Sequence, residues 1–600
     1  MIRTAALKAN RTALLGTLVF LSALGVRALA WQDARLEAAR VQWGVTADYK
    51  RVARLLAEGG AASFFSRSSP LAHPDTLGHP PGYSILLALS YSLFGERDAP
   101  VQFFQLACDA LAALVVFFIA AELLGRSVGA VAGFMSALAP QFSWNSVAVL
   151  PDTLAVLPVL LAVYFLTLAV RGRGVLTLLL ISGALVGVSC WLRANAMLLA
   201  PFLAGACLLA FNRGLRLRAA SALLLGALAV IAPLTIRNAL VFRRFIPLSL
   251  GAGQTMLEGI ADYDGAGRFG IPKTDLAITR IEAAEAGRPD YAGPLFGVDG
   301  VERERARVRR ALGVIGSHPF WFAGVMARRG ASMLRLERAR LVSAEPPVTH
   351  ELPADDARAP ALPADPGELL SRARTGAQTK VAVVEGEGGL VLSVEGDGST
   401  YGEQLATSPL DVAAGNDYLL SLGVKASRGR MRVGVAGAEG ATLITSTLVE
   451  ESEGLAPEAR PWTTVRLPFV SRGGAVRVVF RNEGPFPAAL VSSVKLDELG
   501  PAGGLWTRYP RVLVRGLQSL FLTAVILPLA AAGLILLARA RRRRALFVLL
   551  LVPAYYVTVQ SAVHTEYRYV LAVYHFVFAL AAVSVVAAAG AARGALRKLF

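Results

Sequence analysis

Residues 73–95 read HPDTLGHPPGYSILLALSYSLFG. From Tyr83 to Gly95 nearly every side chain is apolar, and the run starts directly behind Pro80-Pro81-Gly82. A helix needs roughly 20 apolar residues to cross hydrocarbon, and this run is shorter. Proline at a helix start sets the entry angle and sacrifices no hydrogen bond. The stretch therefore predicts a short juxtamembrane helix lying in the outer interface and roofing a cavity there. The other reading, a bent hairpin across the membrane with residues 101–123, would invert every later loop and break the arginine pattern given below.

The surrounding chain has 600 residues, 54% of them hydrophobic and 17% charged. Soluble domains carry about 25% charged residues, and the apolar runs here are long and repeated, so the composition is that of an integral membrane protein. The net charge of +18 does not point to nucleic acid, because the excess sits in short arginine clusters between apolar runs and no basic–aromatic patch accompanies it. Cys108, Cys190 and Cys207 all lie inside apolar runs, which argues against a disulfide framework or a zinc ribbon.

Hydropathy predicts spans near 12–30, 101–123, 128–147, 153–170, 175–192, 196–211, 219–236, 512–538, 545–563 and 570–590, about ten transmembrane helices in all. The first resembles a signal sequence with a small-x-small site at Ala28-Leu29-Ala30, but Arg27 interrupts its end and favours an uncleaved helix. With the N-terminus inside, every arginine cluster falls on the cytoplasmic side: Arg126, Arg171 and Arg173, Arg213 to Arg218, Arg539 to Arg544, and Arg593 and Arg597 near the C-terminus. Residues 31–100 and 237–511 then face outward, and the expected location is a bacterial inner membrane with both termini cytoplasmic. In the second outward segment VERERARVRRALGVIGSHP reads as an amphipathic helix, and 346–374 as a Pro/Ala/Asp-rich linker. From 375 to 500 the period changes to two, in KVAVVEG, GLVLSVEG, DYLLSLGVKA, RMRVGVAG, TTVRLPFV and AVRVVFRNEG, separated by Gly-rich turns. This predicts an inserted antiparallel β-sandwich. The expected organisation is a membrane core from 1–345 and 505–600 around that sandwich.

Arginine at an exported helix end opposes the orientation bias, and three stand there: Arg193, Arg237 and Arg568. A guanidinium offers two parallel hydrogen bonds to a phosphate, so three at one membrane level could clamp a lipid-linked phosphate. Snorkelling to head groups is the plainer account of each one singly. Among the acids, Asp48 lies in the first outward loop and Asp152 opens the fourth span. A carboxylate at the hydrocarbon edge is costly and thus a functional suspect, although Asp152 also suits a helix N-terminus. Asp109, inside the second span, pairs with a helix neighbour or faces a polar cavity. His79, His564 and His575 show no ligand spacing such as HExxH, and no residue is assigned to a metal. Tyr418 and Trp462 in the sandwich either stack on sugar or fill the core.

These stretches together resemble the GT-C-fold membrane glycosyltransferases of the protein O-mannosyltransferase and aminoarabinose-transferase type, including Rgt-like bacterial members. The matching segments are ADYKRVARLLAEGG, HPPGYSILLALSYSLFG, LPDTLAVLPVLLAVYFLTLA, the WLRANAMLLAPFLA region, PLTIRNALVFRRFIPLSLGAGQTMLEG, IGSHPFWFAGVMARR and EYRYVLAVYHFVFALAA, in family order. The resemblance implies an enzyme that moves a sugar from a polyprenyl-phosphate donor to a glycan, lipid or protein acceptor on the exported face. It implies Asp48 as catalytic base and Asp152 as the acid of the fourth span. It implies Arg193, Arg237 and Arg568 as donor-phosphate ligands, with His79, Tyr83, Asn238 and Glu566 as substrate contacts. Where many members have two adjacent acids, this chain has Asp48-Tyr49, which weakens the case for a metal site built on the pair and leaves a divalent metal ion an open cofactor. The sandwich lies outside the common core and looks like a galactose-binding-like jelly roll. One base and one displacement predict inversion at the anomeric carbon. A flippase of lipid-linked saccharide would share the helices and show internal repeats, of which there is no sign; a polysaccharide ligase or polymerase would share the donor chemistry; a non-catalytic glycan-binding scaffold would not turn over donor.

Overall fold

In the computed structural model, Leu138 is followed by a break at Ala139-Pro140, and one predicted span becomes two helices. Described are all residues except Met1, 36–40, Trp43, Arg338, 353–369, 371–372, 387–388, 439–442, 452–459 and Phe600, together with the side chains of 2–9, Ser493 and 592–599. Most of the predicted linker 346–374 lies outside the described residues. The chain divides into two compact units, 1–342 with 514–600, and 343–513.

Among the described residues of the first unit, seven helices are long and apolar enough to cross a membrane. They are α1 (Ile2–Ala34), α4 (Ala99–Leu124), α7 (Asp152–Val170), α8 (Val175–Leu192) and α10 (Arg216–Phe242), with α17 (Arg543–Thr558, continuing to Ala562) and α18 (Leu571–Leu599, preceded by a turn from Tyr567). A further bent pair, Leu505–Gln518 and Thr523–Arg539, turns by 62° and makes eight if counted as one span. The sequence expectation of about ten is thus revised to seven or eight. Residues 128–147 split into α5 (Arg126–Leu138) and α6 (Pro140–Val147), because proline has no N–H to continue the ladder. Residues 194–210 form a shorter apolar element containing α9 (Leu199–Ala210).

The opening stretch folds as α3 (Gly82–Phe94). Tyr83, Leu87, Ala88 and Tyr91 are buried, while Ile85, Leu89 and Leu93 form an exposed apolar stripe at i, i+4 and i+8. One face packs on protein and the other is left for lipid, which is the pattern of an interfacial helix. Gly82 is required for this seat: a Cβ there would strike the carbonyl of Trp191 at the end of α8. The same logic brings α8 and α10 together, since a Cβ on Gly183 would meet Leu223 O and one on Gly226 would meet Leu180 O.

The arginine that interrupts α1 has a partner. Arg27 is fully buried and its Nε lies 2.6 Å from Asp109 in α4. The rest of its fork donates to Ala23 O, Ser136 O and Ala137 O. Alongside, His575 of α18 stacks on Phe142 at 3.9 Å and meets Ser136 Oγ at 3.1 Å.

Outside the spans, α11 (Ala252–Ala261), α12 (Asp275–Ala286), α13 (Gly300–Ser317) and α14 (Pro319–Met333) form a helical layer. The predicted amphipathic helix is α13. Its buried Arg303 and Arg307 both reach Glu282 of α12 at 2.6 Å, and its Glu304 accepts from Gly251 N at 2.9 Å, capping α11.

The second unit is a two-sheet antiparallel sandwich. One sheet runs β1 (Arg374–Thr375), β4 (Tyr401–Ala406), β10 (Gly474–Glu483), β7 (Arg430–Gly437) and β8 (Leu443–Glu450), with β5 (Leu410–Val412) beside β10; the other runs β2 (Lys380–Gly386), β3 (Gly389–Glu395), β11 (Ala488–Pro501), β6 (Asn416–Arg428) and β9 (Thr463–Val470). The alternating runs read from sequence are its strands, among them β2 (Lys380–Gly386), β6 (Asn416–Arg428), β7 (Arg430–Gly437), β9 (Thr463–Val470) and β10 (Gly474–Glu483). Leu420, Leu422 and Val424 from one sheet meet Val433, Val435, Val478 and Phe480 from the other. Tyr418 belongs to that core, stacked on Phe469 with its hydroxyl on Glu498, so it is not a sugar platform.

Alanine at Arg27 or at Asp109 is expected to cost about 3–5 kcal/mol, because each change leaves the other charge buried alone. The double variant Arg27→Met/Asp109→Leu is expected to recover most of the loss. Thermal unfolding of the solubilised full chain checks both.

Candidate active site

Asp152 is the first residue of α7, and Arg193 is the residue that ends α8. No side-chain capping bond forms at the α7 N-terminus. The Asp152 carboxylate instead lies 2.9 Å from the Arg193 guanidinium, and both side chains are nearly enclosed. An ion pair needs this geometry: two charges at a helix start and a helix end, turned toward each other out of hydrocarbon.

The segment before α18, residues 563–570, closes the arrangement. Glu566 and Arg568 pair at 2.7 Å, and the Tyr569 ring is near two cations, with Arg193 at 4.1 Å and Arg568 at 5.2 Å from its centre. Asn195 donates to Tyr569 O at 3.1 Å and Tyr555 Oη to Asn195 O at 2.7 Å, which binds the α8 end to α17 and α18. Desolvated cation–π contacts are worth about 2 kcal/mol or more. A ring that holds two guanidiniums close together therefore offsets part of their repulsion.

From the other side comes the aromatic wall of α2 (Gly44–Phe65) and α3. Tyr49 is buried, stacks on His79 at 4.8 Å and takes the edge of Tyr83 at 5.2 Å. Arg193 acts on the Tyr49 hydroxyl, whose pKa burial nevertheless pushes up to about 12. Tyr83 Oη donates to Gln105 at 2.7 Å, and Gln105 in turn donates to Ser146 O and Ala148 O, so Tyr83 is held from behind. His79 is pushed down to about 3 by burial first and by the Arg193 and Arg568 charges second. It is therefore a neutral imidazole at physiological pH.

Asp48 occupies a different position. It neighbours Tyr49 on α2, but its side chain is 63% exposed and its near cation is Arg51, at 4.0 Å. Arg51 also reaches Asp75 at 3.4 Å, and His73 pairs with Asp75 at 2.8 Å. Burial raises the Asp48 carboxyl above its usual value, Arg51 opposes this and Asp75 adds to it. Its carboxylate is open to water, and its raised pKa makes it a better base than a free surface aspartate.

Of the residues singled out from sequence, Asp152, Arg193, Arg568, Glu566, His79 and Tyr83 are brought around one buried centre. Arg237 and Asn238 are not. Arg237 donates to Phe64 O and Leu71 O at 2.9 Å, contacts Asn238 Oδ1, and lies over the Phe64 ring. Asn238 donates to Ile246 O and Leu248 O. Together they line, with His79, a void of only about 20 Å³, room for about one water. Missed by sequence reasoning were Tyr49, Tyr569 and Gln105. The tyrosines beside Asp48 and Arg568 were a visible signal, since ADY and EYRY place rings next to the charges. Among the described residues no three His, Cys, Asp or Glu side chains converge as a metal site would require.

Replacing His79 by Gln is expected to remove an acid-labile component of stability. The native imidazole stays neutral down to about 3 whereas the unfolded one takes a proton near its usual 6.5, so stability falls as pH drops through this interval. Thermal unfolding of wild type and variant between pH 7 and pH 4 measures it; the variant's curve is expected to be flatter.

The family model for dolichyl-phosphate-mannose-protein mannosyltransferase matches residues 78–236, which contain His79, Tyr83, Asp152 and Arg193. No curated protein matches the chain by sequence. Among solved structures, the apo oligosaccharyltransferase of Archaeoglobus fulgidus is similar at 16% identity and TM-score 0.32, over 48% of this chain and 38% of that one. The oligosaccharyltransferase AglB of Archaeoglobus fulgidus, in complex with an inhibitory peptide and a dolichol-phosphate, is similar at 14% identity and TM-score 0.30, over the same shares. The matched region thus spans under two fifths of those chains, and overlaps of this size do not carry a function. Over residues 78–236 the chain is thus similar to the dolichyl-phosphate-mannose-protein mannosyltransferase family, and its apolar helices are those of a multi-pass membrane protein.

Proposed function

We propose that the protein transfers a sugar from a polyprenyl-phosphate donor to a hydroxyl acceptor on the exported face of a bacterial inner membrane, with inversion. The observation that carries this reading is the buried constellation of Arg193 and Arg568, 4.1 and 5.2 Å from the Tyr569 ring centre and balanced by Asp152 and Glu566. Two guanidiniums brought this close suit the departing phosphate, whose charge grows as the glycosidic bond breaks. The match to the mannosyltransferase family model over 78–236 supports the donor class. The exposed arginine clusters at the opposite helix ends, among them Arg171 and Arg173 and Arg541 to Arg544, support the orientation.

In this reading the acceptor oxygen attacks the anomeric carbon while the bond to the phosphate oxygen breaks. The electron pair leaves with the phosphate, toward Arg193 and Arg568. The hydroxyl proton passes to Asp48, whose exposed carboxylate is on α2 directly before Tyr49 of the aromatic wall. His79, neutral and set between Tyr49 and the two cations, serves as a polar wall. Asp152 orients Arg193 and offsets its charge between turnovers.

The test is transfer of labelled sugar from a panel of polyprenyl-phosphate hexoses by the purified full chain. Asp48→Asn is expected to lower kcat by about 10²–10⁴-fold, the usual worth of a positioned base. Arg568→Lys, which keeps the charge and loses the fork, is expected to lower kcat/KM for donor. Arg237→Lys is expected to lower the unfolding temperature and leave the donor KM as it was, because its donors are engaged by backbone carbonyls. Wild-type activity in Asp48→Asn would remove that carboxylate from the mechanism.

A further inference from the structure

Beside the buried centre is a second space. A cavity of about 250 Å³ is lined by Asp262 and Tyr263 at the end of α11, Arg329, Ser332 and Met333 of α14, and Thr565, Glu566 and Tyr567 of the segment before α18. Pockets for drug-sized ligands measure about 300–1,000 Å³, so this one suits a single small ring.

Its walls are built and held. Arg329 donates to Ser561 O and Gly259 O, and the backbone N–H of His564 donates to Thr255 O at 2.7 Å. A Cβ on Gly259 would strike the His564 nitrogen, so only glycine lets α11 approach this strand of chain. His564 Nδ1 meets Asp262 at 2.8 Å, and contact with Asp262 raises the His564 pKa. Tyr263 is braced by Arg328 and Arg329, 5.0 and 5.1 Å from its ring centre.

The chemistry of the lining selects the ligand. With Arg329 engaged by two carbonyls, and the acidic side chains of Asp262 and Glu566 in its wall, the cavity does not favour an anion. Carboxylates and hydroxyls, with tyrosine rings beside them, are what hydroxyl-rich rings need: charged acceptors for O–H groups and a flat apolar face for C–H groups. Glu566 also joins this cavity to the buried centre, since it both lines the cavity and pairs with Arg568 at 2.7 Å.

We propose that this cavity is a subsite for one saccharide unit of the acceptor, and that Glu566 is a positioning residue which couples its occupancy to Arg568. The proposal rests on the transferase reading for the word acceptor, and on the cavity alone for the saccharide. A donor sugar is the other source of such a ring. Its phosphate would have to pass the Asp262 and Glu566 carboxylates, which disfavours it.

The probes are methyl glycosides of glucose, galactose, mannose and N-acetylglucosamine, titrated into the full chain in nanodiscs and read by saturation-transfer NMR. At least one is expected to bind saturably. Ser332→Trp, which fills the cavity, is expected to weaken it at least tenfold. The isosteric Glu566→Gln is expected to weaken it several-fold and, in the transfer assay, to raise the acceptor KM more than it lowers kcat. Retained binding in Ser332→Trp with an unchanged unfolding temperature, or no binding by any of the four, overturns the site. Displacement of the glycoside by polyprenyl-phosphate mannose overturns its assignment to the acceptor. Because binding is read without turnover, loss of the transferase reading would leave a positive binding result standing, and active enzyme that binds none of the glycosides would sink this inference alone.

Discussion

An aspartate and an arginine 2.9 Å apart, Asp152 and Arg193, set the geometry on which the candidate site depends. Each lies at the end of a span where the surroundings change from lipid to protein. Desolvation of each ion costs several kcal/mol, and the attraction between them roughly cancels it. Such a pair contributes little net stability, but it costs a great deal to break. It therefore holds the start of α7 against the end of α8 and fixes where the guanidinium points. Tyr569 extends the arrangement by seating Arg193 and Arg568 against one ring. From there the pairing passes through Glu566 to the cavity bounded by α11 and α14.

The buried arginines of this unit divide by how their forks are used. Arg27 is engaged by Asp109 and three carbonyls, and no surface remains for a ligand. Arg237 is spent on Phe64 O, Leu71 O and Asn238, where it ties the end of α2 to α10. Both are scaffold. Arg193 and Arg568 are each paired with a carboxylate and both lie against the Tyr569 ring. Arg237 thus differs from Arg193 and Arg568 in that its partners are neutral backbone carbonyls and an amide, whereas theirs include acids that share their charge.

Asp48 and Glu566 divide the acids in a similar way. Asp48 is exposed beside Arg51 and Asp75 with a raised pKa, the condition of a group that accepts and releases a proton. Glu566 is held by Arg568 and has a structural task before any chemical one. The neutral state of His79 follows from the same field, since two nearby guanidiniums and burial disfavour a third cation.

Much of the architecture was legible in the sequence, and for a local reason. Hydropathy over some twenty residues marks a span, alternation over six marks a strand, and a proline pair marks a helix start; each is a property of neighbours in the chain. Hence α3, α13 and the strands of the sandwich were read within a few residues, and the break at Pro140 was the place where window-averaged hydropathy concealed a local rule. Arginines on the uncommon side of the membrane were also visible, and two of the three gather at the centre. What the sequence could not distinguish was Arg193 from Arg237, because a carbonyl partner leaves no trace in residue type. The pairing of Arg27 with Asp109, the exposure of Asp48 and the meeting of Glu566 with Arg568 above a cavity depend on contacts between distant segments. Those contacts are decided by how the helices pack, since a charge in a membrane core takes whichever partner the packing brings within reach.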